Sequence, residues 1–529
     1  MKRMKKILSV LLSVVMVMAM GITAFADDDV PTQSTSNYSV TINNATGSYE
    51  IYQVFTGDLS VENGKKTLSN VAWGKDVEGF SYTTKDATEG ASAKTDNDAT
   101  KIAEYLATKG NDSAVVKDFA KEAIKNVKAD SNSGTATASN GTATFNNLAA
   151  GYYVVRNTSV ETNESYTEYI LQVVGDVSVN NKADVPSSEK KVKDINDSTE
   201  TTKSDWQDSA DYDIGDSVPF QLKGVVASNY ADYTTYKFVF HDTESEGLTF
   251  DADSVKVYVD GNEIQTGYEV KTSGIASGET FNVVFNDLKD IDSVHAGSVI
   301  TVEYNSTLNN KAVLGSQGNP NTMHLEFSNN PNDTQGGETG TTPDDTVIVF
   351  TYKLVINKVD QDNKPLTGAD FKLEKQIKGK DGANDTWTEI TRKTTSDFTN
   401  DDQKVTKDCV FTFSGLDDGV YKLTETATPT GFNTIDPITF TVTADHKVVW
   451  GASDQRTDIL TGLTGTKTTG EITFTADKNA GSLTANVINK EGTILPSTGG
   501  IGTTIFYVVG AILMIGAGVV LVSRRRANR

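Results

Sequence analysis

From Ile505 to Val522 the chain runs for eighteen positions without a charge, and Arg524, Arg525 and Arg526 follow almost at once. A helix rising about 1.5 Å per residue crosses a hydrocarbon core in that length, and the arginines keep its far end in the cytoplasm. A chain tethered in this way has to fold on the outer side of the membrane. The N-terminus agrees: Lys2, Arg3, Lys5 and Lys6 precede a mostly apolar run from Ile7 to Ile22, and Ala24-Phe25-Ala26 puts small residues at the two positions a signal peptidase reads. Residues 1–26 are expected to be a secretory signal peptide cut after Ala26. A first transmembrane helix is disfavoured by the short run and by Asp27, Asp28 and Asp29 directly after it.

Between these ends lies too much chain for one core. At 529 residues, and roughly 150 per domain, about three domains are expected. With 37% hydrophobic residues and only 10 prolines, folded modules joined by polar turns fit better than disorder. Removing the eight basic residues of the two ends leaves 40 against 71 acidic ones, a balance of -31 for residues 27–498. Such a surface repels nucleic acid and anionic lipid. The single cysteine, Cys409, rules out an intramolecular disulfide, so any covalent brace must use other chemistry. Cys409 shares a strand face with Phe411 and Phe413 and reads as a small buried residue; a thioester is rejected.

Alternation of apolar and polar residues predicts strands at 38–42, 49–55, 143–156 and 168–179. Two helical stretches interrupt them, 102–106 and a stripe formed by Val116, Phe119, Ala120, Ala123, Ile124 and Val127. This defines a first domain, residues 27–183. A second module, 184–333, carries strands around 218–222, 236–240, 255–259, 281–285, 299–304 and 323–327. Residues 334–345 are Gly, Thr, Asp and Pro with almost nothing apolar and read as a linker. The third module, 346–492, contains Leu354-Val355-Ile356-Asn357-Lys358-Val359-Asp360, Gly368-Ala369-Asp370-Phe371-Lys372-Leu373 and Gly419-Val420-Tyr421-Lys422-Leu423-Thr424-Glu425-Thr426. The tail, 493–529, holds Leu495-Pro496-Ser497-Thr498-Gly499 and the membrane span, about 503–523.

That pentapeptide, with the apolar span and the arginines, resembles the cell-wall sorting signal in all three parts. The segments of the third module resemble the B-type collagen-adhesin (SpaA-like) immunoglobulin fold, the last of them its E-box. Three such modules between a signal peptide and a sorting signal resemble the major backbone pilins of sortase-assembled pili in Gram-positive bacteria. The fold implied is mainly β: tandem immunoglobulin-like (Cna-type) β-sandwiches, the first with helical insertions. The resemblance implies that a sortase cysteine attacks the carbonyl of Thr498, presented in extended form by Pro496. Gly499 leaves with the membrane helix, and an amine then resolves the acyl-enzyme.

Residue patterns show where further covalent chemistry could sit. Lys358 shares a face with Leu354 and Ile356, Glu425 with Tyr421 and Leu423, and Asn489 with Leu483, Ala485 and Val487. Burial disfavours both charged forms and leaves a neutral amine and a protonated carboxyl. Glu425 would then polarise the Asn489 amide and shuttle protons as ammonia departs, giving a Lys358–Asn489 isopeptide bond. By analogy with a disulfide closing such a loop, it would stabilise by on the order of 4 kcal/mol. A parallel set in the second module is Lys190, Asp242 and Asn329, with Lys191 and Asn330 as alternatives. The family implies here a first-strand lysine, a last-strand asparagine and a catalytic aspartate.

The family's acceptor lysine sits at the end of the first domain in a Val-x-Val-Tyr-Pro-Lys-Asn setting. In this chain Val177-Ser178-Val179-Asn180-Asn181-Lys182-Ala183 keeps the valines and the lysine and departs at the tyrosine, the proline and the final asparagine. Lys182 is the expected acceptor. Other motifs fail. Asp360-x-Asp362-x-Lys364 has a cation at the fifth position of a calcium loop and reads as a turn. The acidic stretch from Asp194 to Asp216 reads as a solvated loop. His241, His295, His324 and His446 have no metal-ligand spacing, and neither a nucleotide loop nor a hydrolase elbow is present.

The expected protein is therefore not an enzyme and needs no metal or cofactor. It is a pilus shaft subunit whose partners are sortase, identical subunits and peptidoglycan, possible further partners being minor pilins and host surface ligands, with nucleic acid excluded and the membrane relevant only to the precursor. The rival is a wall-anchored adhesin or minor pilin that never polymerises. Polymer ladders separate the two.

Overall fold

The computed structural model describes residues 37–62, 65–84, 94–109, 114–181, 184–199, 205–333, 337–380, 383–391, 393–399, 405–446, 460–492 and 501–527. The expected signal peptide with Ala26, the expected acceptor Lys182 and the pentapeptide Leu495 to Gly499 lie outside the described residues.

The N-terminal part combines a three-stranded sheet, Val177–Asn180, Tyr38–Asn43 and Thr142–Leu148, with a five-stranded sheet centred on Ser48–Glu62 and Gly151–Ser159. Helices Ala99–Ala107 and Ala114–Lys125 pack on the second sheet. Asp98 caps the first of them by accepting from the backbone N–H of Thr100 and Lys101. Val116, Phe119, Ala120 and Ala123 face inward, and Phe119 stacks on Phe55 at 5.5 Å. Tyr38–Asn43 and Val177–Asn180 are parallel neighbours, so the chain leaves this strand pair at the end opposite to the one where it enters. The Asn181 N–H still donates to Asn43 O at 2.8 Å, immediately before Lys182.

The middle module is a sandwich. One sheet orders Trp206–Gln207, Ser187–Lys193, Ser217–Val225, Val299–Leu308, Leu248–Val259 and Asn262–Ile264. The other orders Ser209–Asp211, Asp345–Phe350, Asn319–Ser328, Phe238–Glu244, Phe281–Phe285 and Glu269–Lys271. Two features depart from the sequence expectation. Thr339–Thr341, inside the expected linker, pairs with Asn319–Ser328, and Asp345–Phe350 belongs to the middle sheet. The reason lies in Val347-Ile348-Val349-Phe350: Val347 and Val349 enter the middle core, while Ile348 and Phe350 enter the core of the next module. A strand buried on both faces is an unbroken apolar run instead of an alternating one.

The third module packs two five-stranded sheets. The first orders Lys393–Thr399, Val405–Leu416, Tyr352–Asp360, Ser482–Asn489 and Phe474–Asp477. The second orders Thr386–Glu389, Asp370–Ile377, Gly419–Ala427, Ile438–Asp445 and Gly462–Lys467. The first and last strands, Tyr352–Asp360 and Ser482–Asn489, lie parallel in register, with Lys358 opposite Val487 and Asp360 opposite Asn489. Cys409 is buried on the face of Phe411 and Phe413, where burial pushes its thiol up and leaves it inert. A 27-residue helix, Ile501–Ala527, ends in Arg524, Arg525 and Arg526, and Thr504–Ala527 is long and apolar enough to span a membrane.

Candidate crosslinking sites

Alternation in the third module's first strand turns Lys358 inward beside Leu354 and Ile356, and Lys358 is 0% exposed. Its amine donates to Val487 O at 2.9 Å and Val359 O at 3.2 Å. Both are neutral acceptors, so burial prevails and the amine falls to about 8. Two residues beyond Val487 the Asn489 side chain turns into the same interior. Its Nδ2 donates to Glu425 Oε1 at 2.9 Å, Glu425 Oε2 at 3.1 Å and Asn433 O at 3.0 Å. The carboxylate is held in turn by the N–H of Ile435 and the hydroxyl of Thr428. Asn489 Oδ1 is buried and has no hydrogen-bond partner among the described residues. A nucleophile, a positioned carboxyl and an amide carbonyl open to polarisation thus share one apolar interior.

In the middle module Lys190 and Asp242 are both 0% exposed and paired. Burial lowers the lysine and raises the aspartic acid, in each case outweighing the attraction between them. Both shifts move the pair toward its neutral amine–acid form. Tyr304 joins a further residue to them: Lys190 Nζ donates to its hydroxyl at 2.8 Å, that hydroxyl donates to Asp242 Oδ2 at 3.1 Å, and Asn321 Nδ2 donates to it at 2.9 Å. Asn321 also reaches Glu244 at 3.2 Å, a carboxyl pushed up to about 7 by burial and by Asp242.

Asn329 is elsewhere. Its Nδ2 donates to Glu164 O at 3.2 Å, in the N-terminal part of the chain, and Tyr166 N–H donates to its backbone carbonyl. Asn321 and Asn329 have the same parity on a strand that rises about 3.3 Å per residue, which sets them about 26 Å apart. The inward face was legible, but the position along it was not. The signal lay across the sheet, where Asn321 pairs with Glu244, two residues after Asp242. Lys191 pairs with Asp208 and Glu189, and Asn330 with Glu338. Neither alternative reaches the cluster.

A third buried lysine, Lys375, sits among Asp417, Asp213 at 2.7 Å and Asp197 at 3.6 Å. Burial lowers it, but the three carboxylates prevail and raise it well above the ordinary value. It is a charged brace, unsuited to attack a carbonyl.

Three stretches of the chain match known protein families. Residues 214–331 match the Gram-positive pilin backbone subunit 2, Cna-B-like domain, residues 352–456 the SpaA prealbumin-like fold domain, and residues 489–528 the LPXTG cell wall anchor motif. This is the domain set of a Gram-positive backbone pilin. The trypsin-resistant surface T6 protein of Streptococcus pyogenes serotype M6 is 27% identical over 466 residues, covering 73% of this chain and 81% of that one. The solved T6 backbone pilin, described as a modular three-domain structure, shares the fold with a TM-score of 0.51 at 18% identity, over 89% of this chain and 100% of that one. The major pilin SpaD of Corynebacterium diphtheriae aligns over 87% of this chain and 99% of that one, at 17% identity and a TM-score of 0.46. The pilin-type domains are those of structural proteins, not enzymes, and the anchor motif makes the chain a secreted, wall-anchored surface protein processed by sortase.

Proposed function

We propose that the chain is the repeating shaft subunit of a covalently polymerised pilus, in which Thr498 of one subunit is joined to Lys182 of the next and two internal lysine–asparagine amides stiffen each subunit. The observation that carries the reading is the pair of buried lysine–carboxyl–amide clusters in successive modules of a chain bearing a sorting signal. In the third module the neutral Lys358 amine attacks Asn489 Cγ. Turning the Asn489 amide over sets its carbonyl oxygen against the Glu425 carboxyl, which takes the amine proton as the bond forms and then stabilises the oxyanion. Glu425 then carries the lysine proton to the departing nitrogen, the Cγ–Nδ2 bond breaks, and ammonia leaves. In the middle module Lys190 attacks Asn321 with Asp242 as the acid–base group. Each site reacts once and consumes its own residues.

In the third module the bond joins the first strand to the last. Tension arriving from the middle module at Tyr352 and leaving past Asn489 then runs through covalent bonds instead of shearing the strand pair. Minor pilins and host surface ligands belong to this reading as further partners.

The test is expression of the chain with a pilin-type sortase. Denaturing gels are expected to show a high-mass ladder that Lys182→Ala reduces to monomer. A single wall-linked species from the unaltered chain would instead support the non-polymerised adhesin.

A further inference from the structure

Antiparallel register sets His241, on Phe238–Glu244, directly opposite His324, on Asn319–Ser328. Their strand neighbours Phe240, Asp242, Met323 and Leu325 are buried, so both histidines occupy the outer face of the middle sandwich. The rings stack with centroids 4.8 Å apart and planes 11° from parallel. On the other side of His241 runs Phe281–Phe285, and the turn leading into that strand supplies Glu279. Glu279 Oε1 lies 2.8 Å from His241 Nδ1. Its other oxygen accepts from Ala276 N–H at 3.1 Å and Asn282 Nδ2 at 3.0 Å, which fixes the carboxylate. One ligand atom from each of His241, Glu279 and His324 lies within 4.8 Å of the other two.

Two more carboxylates flank the rings. Glu326 Oε2 lies 3.3 Å from His241 Nε2, and Asp344 Oδ1 lies 3.3 Å from His324 Nδ1. Glu326 is anchored by Lys237 at 2.9 Å and by the Thr339 hydroxyl at 2.8 Å. A histidine that binds a metal through one nitrogen commonly has the other held by a carboxylate, and the geometry provides one for each ring. The side chains of His241, Glu279 and His324 are 16%, 11% and 33% exposed, so the cluster is sunk into the surface but open to an ion from solvent.

Two imidazoles and one carboxylate form a borderline donor set. Calcium and magnesium prefer an all-oxygen shell, whereas zinc and its neighbours take nitrogen readily. We propose that His241, His324 and Glu279 form a site for one zinc-class divalent ion, with water completing four positions and Glu326 and Asp344 orienting the rings. The ligands come from three adjacent segments of one sheet, so the ion would staple the outer face of the middle module.

The full chain in detergent, stripped with a chelator, is titrated with zinc chloride by calorimetry at neutral pH. One ion per chain is expected, with affinity at least tenfold weaker in His324→Ala and in Glu279→Gln and unchanged in His295→Ala, a solvent-exposed histidine elsewhere. Loaded with one equivalent of Cu2+, the chain is expected to give an electron paramagnetic spectrum split by two imidazole nitrogens. Absence of binding, binding that survives His324→Ala, or a copper spectrum without imidazole nitrogen would overturn the proposal and leave the cluster as a His241 imidazolium shared by Glu279 and Glu326.

Discussion

What distinguishes the buried lysines is the company of the amine. Lys358 meets backbone carbonyls and falls to about 8, Lys190 is lowered by burial despite Asp242, and Lys375 is raised by three aspartates. An uncrosslinked Lys358 binds fewer protons folded than unfolded between pH 8 and its ordinary 10.5, so stability must rise with pH across that window. In Asn489→Ala, which cannot form the amide, the third module is expected to melt higher at pH 10 than at pH 8. In the unaltered chain Lys358 no longer titrates, and that rise should be missing. Asparagine substitutions separate the middle-module candidates: intact mass should show one ammonia fewer lost in Asn321→Ala and no change in Asn329→Ala. Lys358, Glu425 and Asn489 were all legible from alternation, because each lies in a strand whose neighbours two residues away are apolar. Asn321 was not, since parity gives a face but cross-strand register gives the height along it.

Among the elements, Asp345–Phe350 does most to join the modules. It pairs with Asn319–Ser328 and with Ser209–Asp211, and its two faces enter different cores. Phe350→Ala removes a wholly buried ring from the third core and is expected to cost about 3–5 kcal/mol, read as a lower denaturant midpoint for that module. Thr342→Val, within the expected linker, deletes a hydroxyl that accepts from Leu325 N–H at 3.0 Å and should cost less, about 1 kcal/mol. The polar run 334–345 concealed this arrangement. Glycine, threonine and aspartate read as a flexible connection, and only the pairing of Thr339–Thr341 reveals a short edge strand. The helices of the first part were more visible, since a stripe at helical spacing names its own buried side.

At the scale of the molecule, the middle and third modules meet across a band of carboxylates. Burial and mutual repulsion raise Asp194 to about 6, Asp216 to about 7 and Asp418 to about 8. For His446 burial is outweighed by Asp211, Asp194 and Asp418, which raise it to about 9. Each raised group binds more protons folded than unfolded, so each contributes stability at low pH that is lost as pH rises through its folded value. The melting temperature of the unaltered chain is expected to fall between pH 5 and pH 8, and less so in Asp418→Asn. Read along the chain, this band looks like a solvated acidic loop, because nothing local shows that another module will cover it. The claim joining these scales is that the chain is covalently closed within itself and covalently continuous with its neighbours. Tandem mass spectrometry of proteolysed, sortase-assembled polymer reads both at once. The expected branched peptides are Lys358–Asn489 and Lys190–Asn321, each lighter by one ammonia, together with one joining Thr498 to Lys182. Recovery of these lysines and asparagines unmodified, with Thr498 attached only to peptidoglycan peptides, would contradict it.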